Sequence, residues 1–585
     1  MKIQQEMLSD LDGGIKMENK DFIFKQLSSM EKVFLDEKPL GKELKNISIL
    51  KNERLSYQIA YTCIGDVNCD ANVFDFNIRI ESPISKYIKL RNVGNVPVEL
   101  SYYKHDCDDD YLRKRPGLYP DSLCDMKNLT IDAIPDLWHS LWVTLDTKGE
   151  VPAGNYDINI IFEPGDIKWG YECDNIKIVK TLKVKIIDAL LTKQETVVAN
   201  WFHADSLASV YNVKLYSKKH WELIDRFMKC AIENGVNSIY TPVFSIPLDT
   251  CPGLKRPACQ LVDIIFENNE YKFNFAKLRQ WISIFKKNNG SYLEISHLFS
   301  QWGALYTPRI VAKVNGRTKD IFGWNTSATS EEFQKFMDEF MPELINVLKD
   351  EEVIDRVYFH ISDEPHMNRL KSYMAAKNVV AKYLKEYKIM EACSDPEAYI
   401  SGAVDYPVVH FPNVDSYIEK GITPFGAYFC ASTGKDGYCN RFIDMPSYRN
   451  RTIGILLFKY NINCLLHFAF NYYFKRMKPG GTSEVVNPIF ATDAGNAIQA
   501  GNGFVVYPSL DGNPMESIRL NVTYDALQDI RAMKLLESYI GHNEVVKIIE
   551  DCAGMEIRMN SYPKNSSYLI KLREEINKKI EEVIK

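Results

Sequence analysis

The sequence predicts a β-sandwich over residues 22–190 followed by a (β/α)8 barrel over 195–540, with a helical extension at 541–585. Three observations predict this multidomain β plus α/β chain. Residues 22–190 hold short strand-like runs without long helices. From about residue 195, short apolar runs alternate with amphipathic helical stretches, and the alternation repeats eight times. The 585 residues also exceed what one hydrophobic core usually serves.

Residues 1–21 read as a leader. In the sandwich region "ERLSYQIAYTC", "VPVELSYY", "SLWVTLDT", "NYDINIIFE" and "IKIVKTLKVKIID" are rich in β-branched and aromatic residues, and turn signals such as "VPAGN" separate them. Several such strands in succession predict a sandwich.

The eight barrel strands are expected in "TVVANWFH" (196–203), "VNSIYTPVF" (236–244), "YLEISHLF" (292–299), "RVYFHISDE" (356–364), "IMEACSD" (389–395), "DYPVVHFPN" (405–413), "FGAYFCAST" (425–433) and "NCLLHFAFNYY" (463–473). Helices such as "KHWELIDRFMKCAIENG", "FAKLRQWISIFKKNNG" and "SEEFQKFMDEFMPELINVLKD" lie between them. The last opens on Ser330 as N-cap with Glu331 and Glu332 in an acidic first turn. The sixth helix, in "VDSYIEKG", is short, and a doubly wound open sheet is the alternative to the barrel. Further helical stretches follow at 523–550 and 563–585.

Composition narrows the function. The chain is 45% hydrophobic and 25% charged with a net charge of −6, and it lacks the basic stripe of a nucleic-acid-binding protein. No apolar run is long enough to span a membrane. The first twenty residues lack the apolar centre of a secretory signal, which predicts a cytoplasmic protein, or a secreted one if the true N-terminus lies upstream. The 13 cysteines are scattered, several inside apolar runs (Cys230, Cys393, Cys430, Cys464), as expected of reduced thiols; Cys251 and Cys259 share a loop and are the one candidate pair. With no CxxC, HxH or HExxH, neither a metal nor another cofactor is expected.

Barrel enzymes assemble their sites at the C-terminal ends of the strands. Here His203, His297 and His410 lie at or near such ends and His360 and His467 within the fourth and eighth strands, and each is also the kind of residue a core can satisfy. The fourth strand ends in "YFHISDEP". Alternation places Tyr358, His360, Ser362 and Glu364 on one face and Val357, Phe359, Ile361 and Asp363 on the other. Asp363 and Glu364 then either cap a helix that begins at Pro365 or form a catalytic pair. The seventh strand lacks the second carboxylate of a double-displacement glycosidase; Asp436 lies beyond it. An adjacent Asp–Glu pair suits substrate assistance instead, in which a 2-acetamido oxygen attacks the anomeric carbon, Asp363 orients and stabilises that group, and Glu364 protonates the leaving oxygen.

The chain resembles glycoside hydrolase family 123 and the broader family that shares its catalytic domain. "GLYPDSL" and "LWVTLDTKGEVPAGNYDINIIF" look like that family's sandwich, "YFHISDEP" like its catalytic strand, and "GNGFVVYPSLDGNPMESIRLNVTYDALQDI" like its C-terminal signature. The resemblance implies a retaining β-N-acetylgalactosaminidase built as a sandwich and a (β/α)8 barrel, with Asp363 as acetamido stabiliser and Glu364 as acid/base. The stretch after strand eight, Trp-rich in many relatives, here carries Tyr472, Tyr473 and Phe474.

The leading expectation is therefore an exo-β-N-acetylhexosaminidase acting on an oligosaccharide or glycoconjugate with a terminal β-linked N-acetylhexosamine, with no nucleic acid as partner. The alternatives are a glycosidase for another 2-acetamido or uronic sugar and a non-catalytic carbohydrate-binding barrel. His203, His297, His360, Tyr428, His467, Asn471 and Tyr472 are the expected substrate contacts at the rim, with Trp302 as a platform for a sugar face. Tyr507 and Arg519, from the C-terminal signature, are ranked below them as contacts, closure of the barrel bottom being their alternative role.

Overall fold

In the computed structural model the described residues are 15–16, 18, 21–64, 73–99, 108–165, 171–172, 176–248, 253–365, 367–475, 484–495 and 498–585. Most of the expected leader and Cys251 of the candidate disulfide lie outside them, while Cys259 is a buried free thiol. Two five-stranded sheets form the N-terminal sandwich. One holds Phe22–Ser28, Arg54–Cys63, His139–Asp146, Ile88–Val98 and Gly117–Asp125 in that spatial order. The other holds Asn46–Leu50, Ile178–Ile187, Gly154–Pro164, Phe74–Glu81 and Thr130–Ala133. Their facing residues, among them Phe24, Tyr57, Ile59, Phe76 and Phe162, form a core of their own.

The second unit is a closed barrel of eight parallel strands. They are β1 (Val197–Asn200), β2 (Ser238–Thr241), β3 (Tyr292–Ile295), β4 (Val357–Phe359), β5 (Lys388–Ala392), β6 (Tyr406–His410), β7 (Gly426–Tyr428) and β8 (Cys464–His467). Closure is direct: Val197 pairs with Cys464 and Asn200 with His467. Seven of the strands fall inside the predicted runs, and β5 starts one residue before its run, at Lys388; each is shorter than its run. The polar tails of those runs leave the ladder and form the mouth, so β4 ends at Phe359, four residues before Asp363. The sixth crossover helix, Val414–Glu419, is short as expected, and the fifth, Pro396–Ile400, is shorter still. Ser330 caps Glu331–Asp350 through a hydrogen bond from the Phe333 N–H.

Two hairpins were not anticipated. Asp263–Glu267 with Glu270–Asn274 and Ile310–Val314 with Arg317–Phe322 join in a four-stranded sheet beside the barrel. Their turns carry positive φ at Asn268, Asn269, Asn315 and Gly316, the backbone that such two-residue turns require.

Sandwich and barrel meet across buried charges. Arg519, in the helix Ile518–Ile540, bonds Asp121 of the sandwich at 2.9 Å, and Tyr507 donates to the same carboxylate at 2.6 Å. Arg91 reaches Glu516 at 2.6 Å, and Arg449 reaches Asp108 at 2.8 Å.

Candidate active site

The loop after β3 and the chain after β4 run on together past the ladder. Leu298 N–H donates to His360 O, Phe299 N–H to Ile361 O, and Trp302 N–H to Asp363 O at 2.9 Å. Ser362 Oγ adds a bond to Ser300 O at 2.8 Å. Trp302, Gly303 and Ala304 in succession have positive φ, so the chain turns sharply over the mouth there. Glu364 has φ 48°, a left-handed backbone uncommon for a residue with a side chain. That turn breaks the alternation expected through 364. Tyr428 Oη, at the end of β7, donates to Glu364 Oε1 at 2.6 Å. The charge of Glu364 also reaches His410 and Cys430, whereas that of Asp363 reaches Tyr240 on β2 and Glu391 on β5. Burial first, and then the Glu364 carboxylate, push the Tyr428 phenol well above its ordinary range, so it remains a hydrogen-bond donor at any working pH.

Neither carboxylate occupies the N-cap position of the α-helix that follows. The helix after β4 is Leu370–Leu384, preceded by a 3-10 turn at Met367–Arg369, and its N-cap position is Arg369. Both side chains are half-buried at the mouth.

Beneath the pair lies a layer of buried polar groups. Glu294 on β3 accepts from Ser238 Oγ at 2.6 Å and from the Trp201 indole at 2.9 Å, and its Oε2 lies 3.2 Å from His360 Nε2. His297 stacks on His360 with ring centroids 4.5 Å apart and meets Tyr240 Oη through Nδ1 at 2.8 Å. Glu391 Oε1 accepts from the N–H of Ile361 at 2.6 Å and from Tyr373 Oη at 3.2 Å. The side chains of His297, His360 and Glu391 place one donor atom each within 4.8 Å of one another, the single group with metal-ligand spacing among the described residues.

The other expected contacts divide. His203, Asn471 and Tyr472 gather where β1 and β8 end: Asn471 bridges both backbone groups of His203, and Tyr472 packs edge-on to its ring. Arg256, paired with Asp205 at 2.9 Å, faces His203 Nδ1 at 3.2 Å. Burial and that guanidinium hold His203 down at about 4, so it is neutral near pH 7. His467 lies against Phe429 and Phe468, with Nδ1 accepting from Ala469 N–H. Trp302 is 42% exposed, free to present a face to solvent. Tyr507 and Arg519 are turned away from the mouth. Both are fully buried at the seam with the sandwich, where Asp121 and the carbonyls of Gly501 and Phe504 take their donors, so the expectation that they touch substrate is corrected. Sequence reasoning missed Trp201, Arg256, Glu294 and Glu391. For the two glutamates the signal was present: each is a lone carboxylate inside an apolar strand, in "YLEIS" and "IMEAC".

With that geometry established, comparison with known proteins identifies the family. The catalytic domain of glycoside hydrolase family 123 matches residues 201–536, which is more than half of the chain. A family 123 glycoside hydrolase from Clostridium perfringens, described for glycolipid glycan hydrolysis, is similar over 96% of this chain and 97% of its own, with a TM-score of 0.69 at 14% identity. A family 5 mannosidase from Rhizomucor miehei covers 58% of this chain and 92% of its own at 12% identity, with a TM-score of 0.29. No curated protein sequence matches. A barrel whose fourth strand delivers two adjacent carboxylates to its mouth, inside a match of that extent, belongs to glycoside hydrolase family 123, and the protein is a glycoside hydrolase.

Proposed function

We propose that the enzyme is a retaining exo-β-N-acetylhexosaminidase, preferring β-linked N-acetylgalactosamine, in which the substrate's own 2-acetamido group is the nucleophile. The observation that carries this reading is the pair Asp363 and Glu364 half-buried at the mouth, with Glu364 on a left-handed turn and held toward β7 by Tyr428. One carboxylate can thus reach the glycosidic oxygen while its neighbour reaches the acetamido group. The end of β7 offers a phenol where a double-displacement enzyme would need a carboxylate.

In this mechanism the acetamido carbonyl oxygen attacks C1 as the glycosidic bond breaks, and Glu364 donates its proton to the departing oxygen. Asp363 accepts a hydrogen bond from the amide N–H and balances the positive charge of the oxazolinium ring. Glu364 then takes a proton from water as it attacks C1, and the β configuration is restored. Trp302 supports a sugar face from the rim. The glycolipid glycans on which the Clostridium perfringens enzyme is described as acting make a glycolipid with a terminal N-acetylgalactosamine a reasonable natural substrate.

The test is hydrolysis of a panel of p-nitrophenyl glycosides. The β-N-acetylgalactosaminide is expected to be cleaved best, with the uronides and sugars lacking a 2-acetamido group inert. Equal or better cleavage of a uronide would overturn the assignment. Glu364→Gln should slow a poor leaving group far more than an activated aryl one, whereas Asp363→Asn should slow both by roughly 10²–10³ in kcat.

A further inference from the structure

We propose that His297, His360 and Glu391 form a binding site for one divalent transition-metal ion, Zn2+ by the character of the donors, seated in the barrel below the carboxylate pair. The inference does not depend on the acetamido mechanism and stands or falls separately from it.

Three neighbouring barrel strands supply the ligands: His297 follows β3, His360 follows β4, and Glu391 lies on β5. Two imidazoles and a carboxylate are the donor set of many protein zinc sites. All three residues are at most 1% exposed. Their donor atoms lie within 4.8 Å of one another.

A second observation concerns which atoms are already engaged. His360 Nδ1 and Glu391 Oε2 are buried and have no hydrogen-bond partner among the described residues. Orphaned buried polar atoms are uncommon and call for a ligand. The opposite atom of each group is well held. His360 Nε2 faces Glu294 Oε2, and that carboxylate already accepts from Ser238 and Trp201. The ring therefore donates through Nε2, and Nδ1 carries a lone pair. This is the carboxylate–histidine arrangement that orients metal-ligating imidazoles. His297 likewise has Nδ1 engaged by Tyr240, which leaves Nε2 as its ligand atom. Glu391 holds the Ile361 N–H through Oε1, so an ion on Oε2 would brace the segment that carries Asp363 and Glu364. The ion's role is then to position that segment, with a water completing its coordination.

The experiment strips the purified full chain with a chelator and titrates it with Co2+, reading visible d–d absorption and metal content. One equivalent per chain, with the spectrum displaced by Zn2+, is expected. Glu391→Gln and His360→Ala should abolish the signal. Glu294→Gln, one shell out, should weaken affinity about 10- to 100-fold while keeping the spectrum. If the buried substitutions do not fold, His297→Asn, which retains size and polarity, serves in their place. Absence of stoichiometric Co2+ binding by the unmodified chain overturns the proposal outright. So does binding that survives unchanged in a folded ligand variant, which would leave a bound water as the partner of the orphaned atoms.

Discussion

Asp121, at the seam between sandwich and barrel, is surrounded by cations: Arg519 at 2.9 Å and Lys32 at 3.3 Å, with Tyr507 completing its shell. Glu364, at the barrel mouth, accepts from a phenol. Below it Glu391 is met by backbone N–H groups and Tyr373, and Glu294 by a hydroxyl, an indole and an imidazole. The protonation chemistry differs accordingly. Burial would raise Asp121, but Arg519 and Lys32 outweigh it and hold the carboxyl below its ordinary range, so it stays an anion. Burial pushes Glu391 well above the usual carboxylate range, since N–H groups and Tyr373 do not offset the loss of water. Asp121, paired with cations, ties the sandwich to the barrel as a fixed anion, whereas Glu391, met by neutral donors, takes up a proton more readily. The seam is built for stability and the mouth for chemistry.

The seam should give the largest effect. Arg519→Met leaves Asp121 buried with too few partners, and breaking a buried pair in this way costs roughly 3–5 kcal/mol. Urea unfolding should show that loss, while the folded fraction keeps its kcat. A kcat loss with an unchanged unfolding midpoint would return Arg519 to the active site.

The next effect is on pH dependence. Asp525, in the same seam, accepts from Ser29 of the sandwich. Burial pushes it up to about 6 against the pull of Arg451, and the Asp529 charge adds to the rise. The folded chain thus holds this proton between about pH 4 and 6, where the unfolded chain has released it. Stability therefore falls as pH rises through that window, by roughly 3 kcal/mol for this one group. Asp525→Asn should remove that slope from the unfolding midpoint; parallel profiles for the variant and the parent would contradict the assignment.

At the mouth, Tyr428→Phe removes the hydrogen bond to Glu364. Hydrogen bonds to charged groups contribute about 1.5–3 kcal/mol, so kcat should fall roughly 10- to 100-fold with little change in melting temperature. A drop in stability with kcat intact would erase the contrast between the two regions.

Much of this was legible in the sequence. All eight barrel strands coincide with the predicted apolar runs, β5 starting one residue early at Lys388, because buried parallel strands are marked by apolarity alone. Their C-terminal limits were not legible: "RVYFHISDE" keeps its alternation to Glu364, and only the loop after β3, which takes up Leu298, Phe299 and Trp302 as partners, explains why the ladder stops at Phe359. The hairpin turns at Asn268–Asn269 and Asn315–Gly316 carry the residue types that such turns favour, a signal legible in the sequence. Tyr507 and Arg519 carry recognisable spacing, but a single sequence does not reveal that their partner is Asp121, 398 residues away from Arg519. Asp363 and Glu364 stood out because two adjacent charges end an apolar strand.

The most direct test of the central claim is the response of kcat/KM to fluorination of the substrate's acetamido group. Across aryl glycosides bearing acetyl, monofluoroacetyl, difluoroacetyl and trifluoroacetyl groups, each fluorine withdraws electrons from the carbonyl oxygen that attacks C1. If that oxygen is the nucleophile at the Asp363–Glu364 pair, kcat/KM falls steeply and monotonically along the series. A flat series, or a carboxylate of the chain captured as a glycosyl ester by a fluorosugar, would show that the enzyme supplies its own nucleophile.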